Sequence, residues 1–222
     1  MGQTITLKAA DGHAFDAYKA EPAGKPRGGL VVIQEIFGAN SHIRAVTDSF
    51  AAQGYLAIAP ALFDRVKKGV ELGYDQADMA AGREIRGKIS WENALKDVAA
   101  AMDAVKGAGK IGVVGYCWGG SLAWLAATRM KPAAASCYYG GQVYDFKDER
   151  PSCPTMLHFG EKDASIPQEK VAEIKAAHPG LPLFVYKDAG HGFHCDHRGS
   201  YHPASAKQAM DRTLEFFRKH IG

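Results

Sequence analysis

Short apolar runs alternate along this chain with segments of helical period, and that alternation limits the folds open to it. Leu30-Val31-Val32-Ile33-Gln34 is β-branched and nearly all apolar, with no polar face. A strand of that kind must be covered on both sides. Ile43, Val46, Phe50 and Ala51 then recur at helical spacing after Asn40-Ser41, which can cap a helix, and Gly54 ends the segment. The same exchange repeats to the end. Strands are predicted at 55–59 (stopped by Pro60), 111–114, 133–139, 155–159 and 183–186. Helices are predicted from Ser90 to Gly107, over 119–130, over 168–177 and over 203–220. Residues 61–90 are charged and glycine-bearing and read as an excursion over the sheet with some helix. Runs 3–8 and 14–19 flank Asp11-Gly12, a hairpin signal. The expected fold is therefore α/β: a mostly parallel central sheet of about eight strands, with helices on both faces and an opening antiparallel hairpin.

Composition narrows the function classes. Apolar residues are 46% and charged residues 23% of 222, near the globular averages of roughly 45–50% and about 25%. A disordered chain, a coiled coil and a low-complexity repeat are thereby excluded. No repeat, linker or composition break divides the chain, so one domain over 1–222 is expected. Lys and Arg exceed Asp and Glu by 27 − 24 = 3, and no basic stripe calls for nucleic acid. No run reaches the ~18–20 apolar residues of a membrane span, and no secretory leader is read at the start. The opening matches a loose myristoylation pattern, but Thr4-Ile5-Thr6-Leu7 reads better as a strand. Cysteines at 117, 137, 153 and 195 form no C-x-x-C pair or disulfide framework, which points to a reducing, cytoplasmic setting.

Gly115-Tyr116-Cys117-Trp118-Gly119-Gly120 joins a predicted strand to a predicted helix. It fits the nucleophile-elbow pattern G-x-S-x-G with Cys in place of Ser. The turn is tight, so its flanking positions must be small for strand and helix to approach, and Gly115 and Gly119 meet that need. The helix N-terminus favours a thiolate at Cys117, and the Trp118 N–H points to where an oxyanion would form. Asp163 follows strand 155–159 and His191 follows strand 183–186. Nucleophile, acid and histidine thus stand in the required order, each past the C-terminal end of a strand. Asp163 would orient the imidazole, with Glu161 as the rival acid, and His191 would hold the thiolate and protonate a leaving group. Glu35, at the end of strand 30–34, should approach the thiol unless it is a solvated loop acid. The Ile36 N–H is placed to be a second oxyanion donor. Phe37 beside it can shape an apolar wall.

Gln34-Glu35-Ile36-Phe37-Gly38, the Cys117 elbow, Asp163 and Gly190-His191-Gly192-Phe193 together resemble the dienelactone hydrolase family, the carboxymethylenebutenolidases. The resemblance runs from the opening hairpin to the last helix. It implies a compact α/β-hydrolase fold, no cofactor, a cytoplasmic monomer, and hydrolysis of dienelactone to maleylacetate in the degradation of chlorinated aromatics. It makes Cys117, Asp163 and His191 the triad, and Ile36 and Trp118 the oxyanion hole. Glu35 matches the family glutamate that meets the resting thiol and takes its proton when substrate binds. Tyr139 falls near a family aromatic that lines the pocket. One departure stands out. The family's two carboxylate-binding arginines fall at Met79 and at His194 or Cys195, leaving Arg83, Arg86 and Arg198 as substitutes. An arginine fork is not replaced by histidine without changing what a pocket prefers.

His191, His194, Cys195, His197 and His202 crowd one stretch. Zinc uses such ligands, but no helical H-x-x-x-H spacing is present and Gly192 and Gly199 interrupt the run. The expectation is a polar loop rimming the pocket, without metal, in which His194, His197 or His202 contacts substrate and Cys195 is oxidisable if exposed. Trp118 is expected at the pocket; Trp91 and Trp124 are expected to pack, and Cys137 and Cys153 to be inert. Three activities fit: a lactone or small-ester hydrolase, a hydrolase of another ester or thioester, and a redox-reactive thiol protein.

Overall fold

The computed structural model describes residues 2–222. The opening strands β1 (Gln3–Lys8) and β2 (Ala14–Ala20) form the hairpin, with Gly12 at φ 85° in its turn. Glycine occupies that left-handed backbone at little steric cost. Strands β3 (Gly29–Ile33), β4 (Leu56–Pro60), β5 (Ile111–Tyr116), β6 (Ala134–Tyr138), β7 (Thr155–Gly160) and β8 (Leu183–Tyr186) complete one sheet. Its order is β1-β2-β4-β3-β5-β6-β7-β8. The pairs β1–β2 and β2–β4 are antiparallel and the others parallel. The expected eight-stranded, mostly parallel sheet is what the chain adopts.

β4 ends at Pro60 as expected, with Pro60 itself the last paired residue, opposite Ala17. A proline is tolerated there because β3 pairs with β4 only as far as Ile58, so its missing N–H leaves no β3 carbonyl unpaired. The central strands β3, β5, β6 and β7 are almost wholly buried, as continuous apolar runs predict.

Helix α1 (Ser41–Ala52) is capped by Asn40, whose side chain accepts the Ile43 N–H at 3.2 Å. The excursion contains a short 3-10 turn (Leu62–Arg65) and helix α2 (Gln76–Gly87), capped by Asp75. Helices α3 (Trp91–Val105), α4 (Trp118–Arg129), α5 (Gln168–Ala177) and α6 (Pro203–His220) follow. Helices α3 and α4 pack against each other and on the sheet. Helices α1 and α6 meet through Phe50 and Phe217, whose ring centroids are 6.4 Å apart. Helix α4 is buried along nearly its whole length, which positions its N-terminus at the carboxyl edge of the sheet.

Candidate active site

Cys117 sits between β5 and α4 at φ 55°. A non-glycine residue there carries strain of about 1–3 kcal/mol, which the surrounding packing must hold. The backbone is fastened on both sides. The Cys117 N–H donates to the Tyr138 carbonyl at 3.0 Å, and the Ser121 N–H donates to the Cys117 carbonyl at 3.2 Å. A Cβ on Gly115 would overlap the Gly119 carbonyl, and one on Gly119 would overlap the carbonyls of Ile33 and Gln34. Strand, elbow and helix therefore touch backbone to backbone, which is why both positions are glycine.

The three strand-end residues converge. Cys117 Sγ lies 3.1 Å from His191 Nε2, and His191 Nδ1 lies 2.7 Å from Asp163 Oδ2. Asp163 is buried, and its second oxygen accepts the Ser165 N–H at 2.8 Å. Burial alone would lower the His191 pKa. Its neighbours Cys117 and the Asp163 carboxylate outweigh it and push the group up to about 10. Glu161, the rival acid, accepts the Asp188 N–H instead and is exposed.

Glu35 corrects one of the two readings made of it. It is buried, so it is no solvated loop acid. Nor is its hydrogen-bonding partner the thiol: Oε1 pairs with Arg198 Nη1 at 3.0 Å, and Oε2 has no partner among the described residues. A guanidinium is the natural partner for a carboxylate removed from water. Arg198 fits because Gly192, at φ 76°, leaves room where any Cβ would strike the guanidinium. Arg198 also lies over the Phe37 ring at 5.6 Å.

A cleft of about 480 Å³ opens on Cys117 and His191. Ile36, Phe37, Trp118, Arg83, Arg86 and Arg198 border it. Met79 borders it too, in the family arginine's place. Trp118 opens α4, so its N–H has no intrahelical acceptor. Ile36 lies past the β3 ladder, which ends at Ile33. Arg86 stacks on Trp91 at 4.7 Å. Sequence reasoning missed Gln142, Asp145, Ser165 and Lys170 on the cleft wall. Three of these, Gln142, Asp145 and Ser165, follow the ends of β6 and β7, and the strand-end rule could have found them.

Other expectations are corrected. Tyr139 is fully buried at φ 37° and does not border the cleft. Its ring supports His191 from 5.2 Å. His194 packs 5.1 Å from the Tyr116 ring and 5.2 Å from that of Tyr138, facing a separate groove. Burial lowers its pKa to about 4, so it is neutral and no anion ligand. His197 lies beside Asp196, and His202 caps α6; neither borders the cleft. Cys195 is buried and its thiol is pushed up to about 12 by that burial. Burial likewise raises Cys137 and Cys153. Trp124 is buried, with its indole N–H on the Phe146 carbonyl.

No described helix is long and apolar enough to cross a membrane. The sequence profile of the dienelactone hydrolase family matches residues 15–221. A Synechocystis protein provisionally named a carboxymethylenebutenolidase is 33% identical, aligning 92% of this chain with 91% of that protein. The carboxymethylenebutenolidase of Pseudomonas putida is 31% identical, aligning 97% of this chain with 96% of that protein. A crystal structure from Klebsiella pneumoniae, provisionally described as a dienelactone hydrolase, superposes with a TM-score of 0.83 at 30% identity. That alignment covers 98% of this chain and 100% of the Klebsiella chain. The chain thus belongs to the dienelactone hydrolase family, α/β-hydrolases of esters and lactones.

Proposed function

We propose that this protein hydrolyses a small lactone or ester bearing a carboxylate, dienelactone to maleylacetate being the first candidate, with Cys117 as nucleophile. The continuous Asp163–His191–Cys117 chain at the floor of the cleft carries the reading. Sγ attacks the carbonyl carbon, and the amides of Ile36 and Trp118 receive the oxyanion. Collapse breaks the ring C–O bond. The enolate departs without much acid help and remains tethered in the thioester. The enolate takes the His191 proton at carbon; the neutral imidazole then takes a proton from water, hydroxide adds to the thioester, and the thiolate leaves beside the re-formed imidazolium.

Four cationic side chains on the cleft support an anionic substrate. Arg83, Arg86 and Lys170 line the cleft against a single lining carboxylate, Asp145, and Arg198 adds a guanidinium already paired to Glu35. A substrate carboxylate reaching Arg198 would compete with Glu35. The released glutamate could then take the thiol proton, the role that the family resemblance implies for it. A reading as an esterase of another small substrate rests on Met79, which removes one of the family's arginine positions. We place the protein in the cytoplasm as a monomer that needs no cofactor.

The test is turnover of cis- and trans-dienelactone beside p-nitrophenyl acetate, with Cys117→Ala as control. Dienelactone turnover at kcat/KM above ~10⁴ M⁻¹s⁻¹, abolished in the variant, is expected. Aryl-ester turnover alone would move the substrate elsewhere. Unchanged turnover in the variant would remove Cys117 from the chemistry.

A further inference from the structure

We propose that His42, Asp196 and His197 form a binding site for one divalent ion of the zinc, cobalt or nickel class, outside the catalytic cleft. Their ligand atoms all lie within 4.8 Å of one another. Asp196 Oδ1 is 3.0 Å from His42 Nδ1 and 3.8 Å from His197 Nε2. Zinc bonds of about 2.0–2.2 Å arranged tetrahedrally place neighbouring ligands roughly 3.3–3.5 Å apart. Those two separations bracket that edge and the third pair lies within 4.8 Å, so movements of about an ångström in the exposed Asp196 and His197 side chains close the set. Two imidazoles and one carboxylate are a borderline donor set. They suit zinc and its neighbours and do not suit calcium or magnesium, which demand oxygen. Three protein ligands leave a fourth position for water.

The surroundings give one ligand a fixed position and the others freedom to close. His42 is buried in the first turn of α1, and its Nε2 has no partner among the described residues. Burial and the contact of Nδ1 with Asp196 Oδ1 hold the imidazole, with Nδ1 facing the loop. Asp196 and His197 are on the surface, with side chains 60% and 44% exposed. The site is invisible to spacing arguments because its anchor lies 154 residues upstream of Asp196. None of the three residues borders the cleft. A bound ion would nonetheless tie the loop carrying His191 and Arg198 to the helix that follows Glu35 and Ile36.

The test is calorimetric titration of the folded Cys117→Ala protein with Zn²⁺, which removes the competing catalytic thiol. One ion per chain is expected. Asp196→Asn and His197→Gln should each weaken it at least about tenfold, and the double variant should abolish it. Both positions are exposed, and an unchanged apo Tm verifies their fold. Paramagnetic Co²⁺ should broaden the imidazole signals of His42 and His197 and spare that of His220, at the far end of α6. No uptake at about millimolar Zn²⁺ overturns the proposal. So does uptake that survives the double variant, or uptake lost instead in His191→Gln.

Discussion

Replacing Asp163 by Asn should cost more catalysis than loss of one charge suggests, because the local hydrogen bonds dictate which way the amide faces. Asp163 Oδ1 accepts the Ser165 N–H at 2.8 Å. An Asn must keep its oxygen there, since an NH₂ group cannot face another N–H donor. Its NH₂ then faces His191 Nδ1, 2.7 Å away in the parent. Nδ1 becomes an acceptor, and the ring proton moves to Nε2, aimed at Cys117 Sγ across 3.1 Å. That tautomer cannot take the proton of a thiol or of the deacylating water. A wrong-tautomer imidazole in a serine triad costs about 10⁴ in kcat, which is about 5 kcal/mol at 1.36 kcal/mol per decade. The assay is kcat for p-nitrophenyl acetate across pH, in Asp163→Asn and Asp163→Ala. Asn should be as poor as Ala or poorer, despite being the closer isostere. A loss under about tenfold in Asn, or an Asn clearly better than Ala, would refute the reasoning.

Four further outcomes follow from the geometry. His191 is raised to about 10 in the fold from an ordinary 6.5, so the folded state binds its proton more tightly. Its contribution to stability is complete below about 6.5 and is lost as pH rises towards about 10. The gap in Tm between the parent and His191→Gln should shrink over that window; a constant gap would contradict the assignment. Burial lowers His158 to about 3, where it hydrogen-bonds Tyr186 at 2.8 Å and Thr213 at 3.2 Å. Here the unfolded state binds the proton first, so stability falls from about pH 6.5 towards 3, and His158→Gln should flatten that part of an acid-unfolding curve. Arg65→Met leaves the buried Asp97 without the two 2.7 Å bonds from Nε and Nη2. A loss of about 3 kcal/mol, or roughly 6–12 °C in Tm, is expected; a shift under about 2 °C would speak against it. Arg86→Gln should raise KM for a carboxylate-bearing lactone about tenfold and leave p-nitrophenyl acetate within about twofold, as suits a charge that only orients substrate. Equal effects on both would make Arg86 a packing residue on Trp91.

Local physics made most of the frame legible. The runs at 30–34, 111–114 and 155–159 carry only Gln34, Thr155 and His158 as polar side chains, and all three are buried parallel strands. The elbow was readable because its glycines answer a local demand, the contact of backbones at Gly115 and Gly119. Asp163 and His191 were readable because the strand-end rule converts sequence order into place. The errors lie where a side chain's direction depends on a distant partner. Tyr139 is adjacent to strand β6 in sequence, yet its positive φ turns the ring beneath His191 and away from the cleft. His194 follows the catalytic histidine by three residues, and two tyrosine rings draw it inward.

Arg198 shows the limit most clearly. The family resemblance places an arginine at His194 or Cys195, with Arg198 as a substitute, and nothing local to residue 198 shows that it pairs with Glu35. Three successive turns shorten the loop, from Cys195 N–H to the Gly192 carbonyl, Arg198 N–H to Cys195, and Tyr201 N–H to Arg198. They carry the guanidinium back over Gly192 to Glu35, 163 residues away in sequence. A buried carboxylate at the end of β3 needs a cation, and the fold offers one from this loop. Glu35 therefore carried a readable demand for an arginine, and the tertiary fold decided which arginine met it.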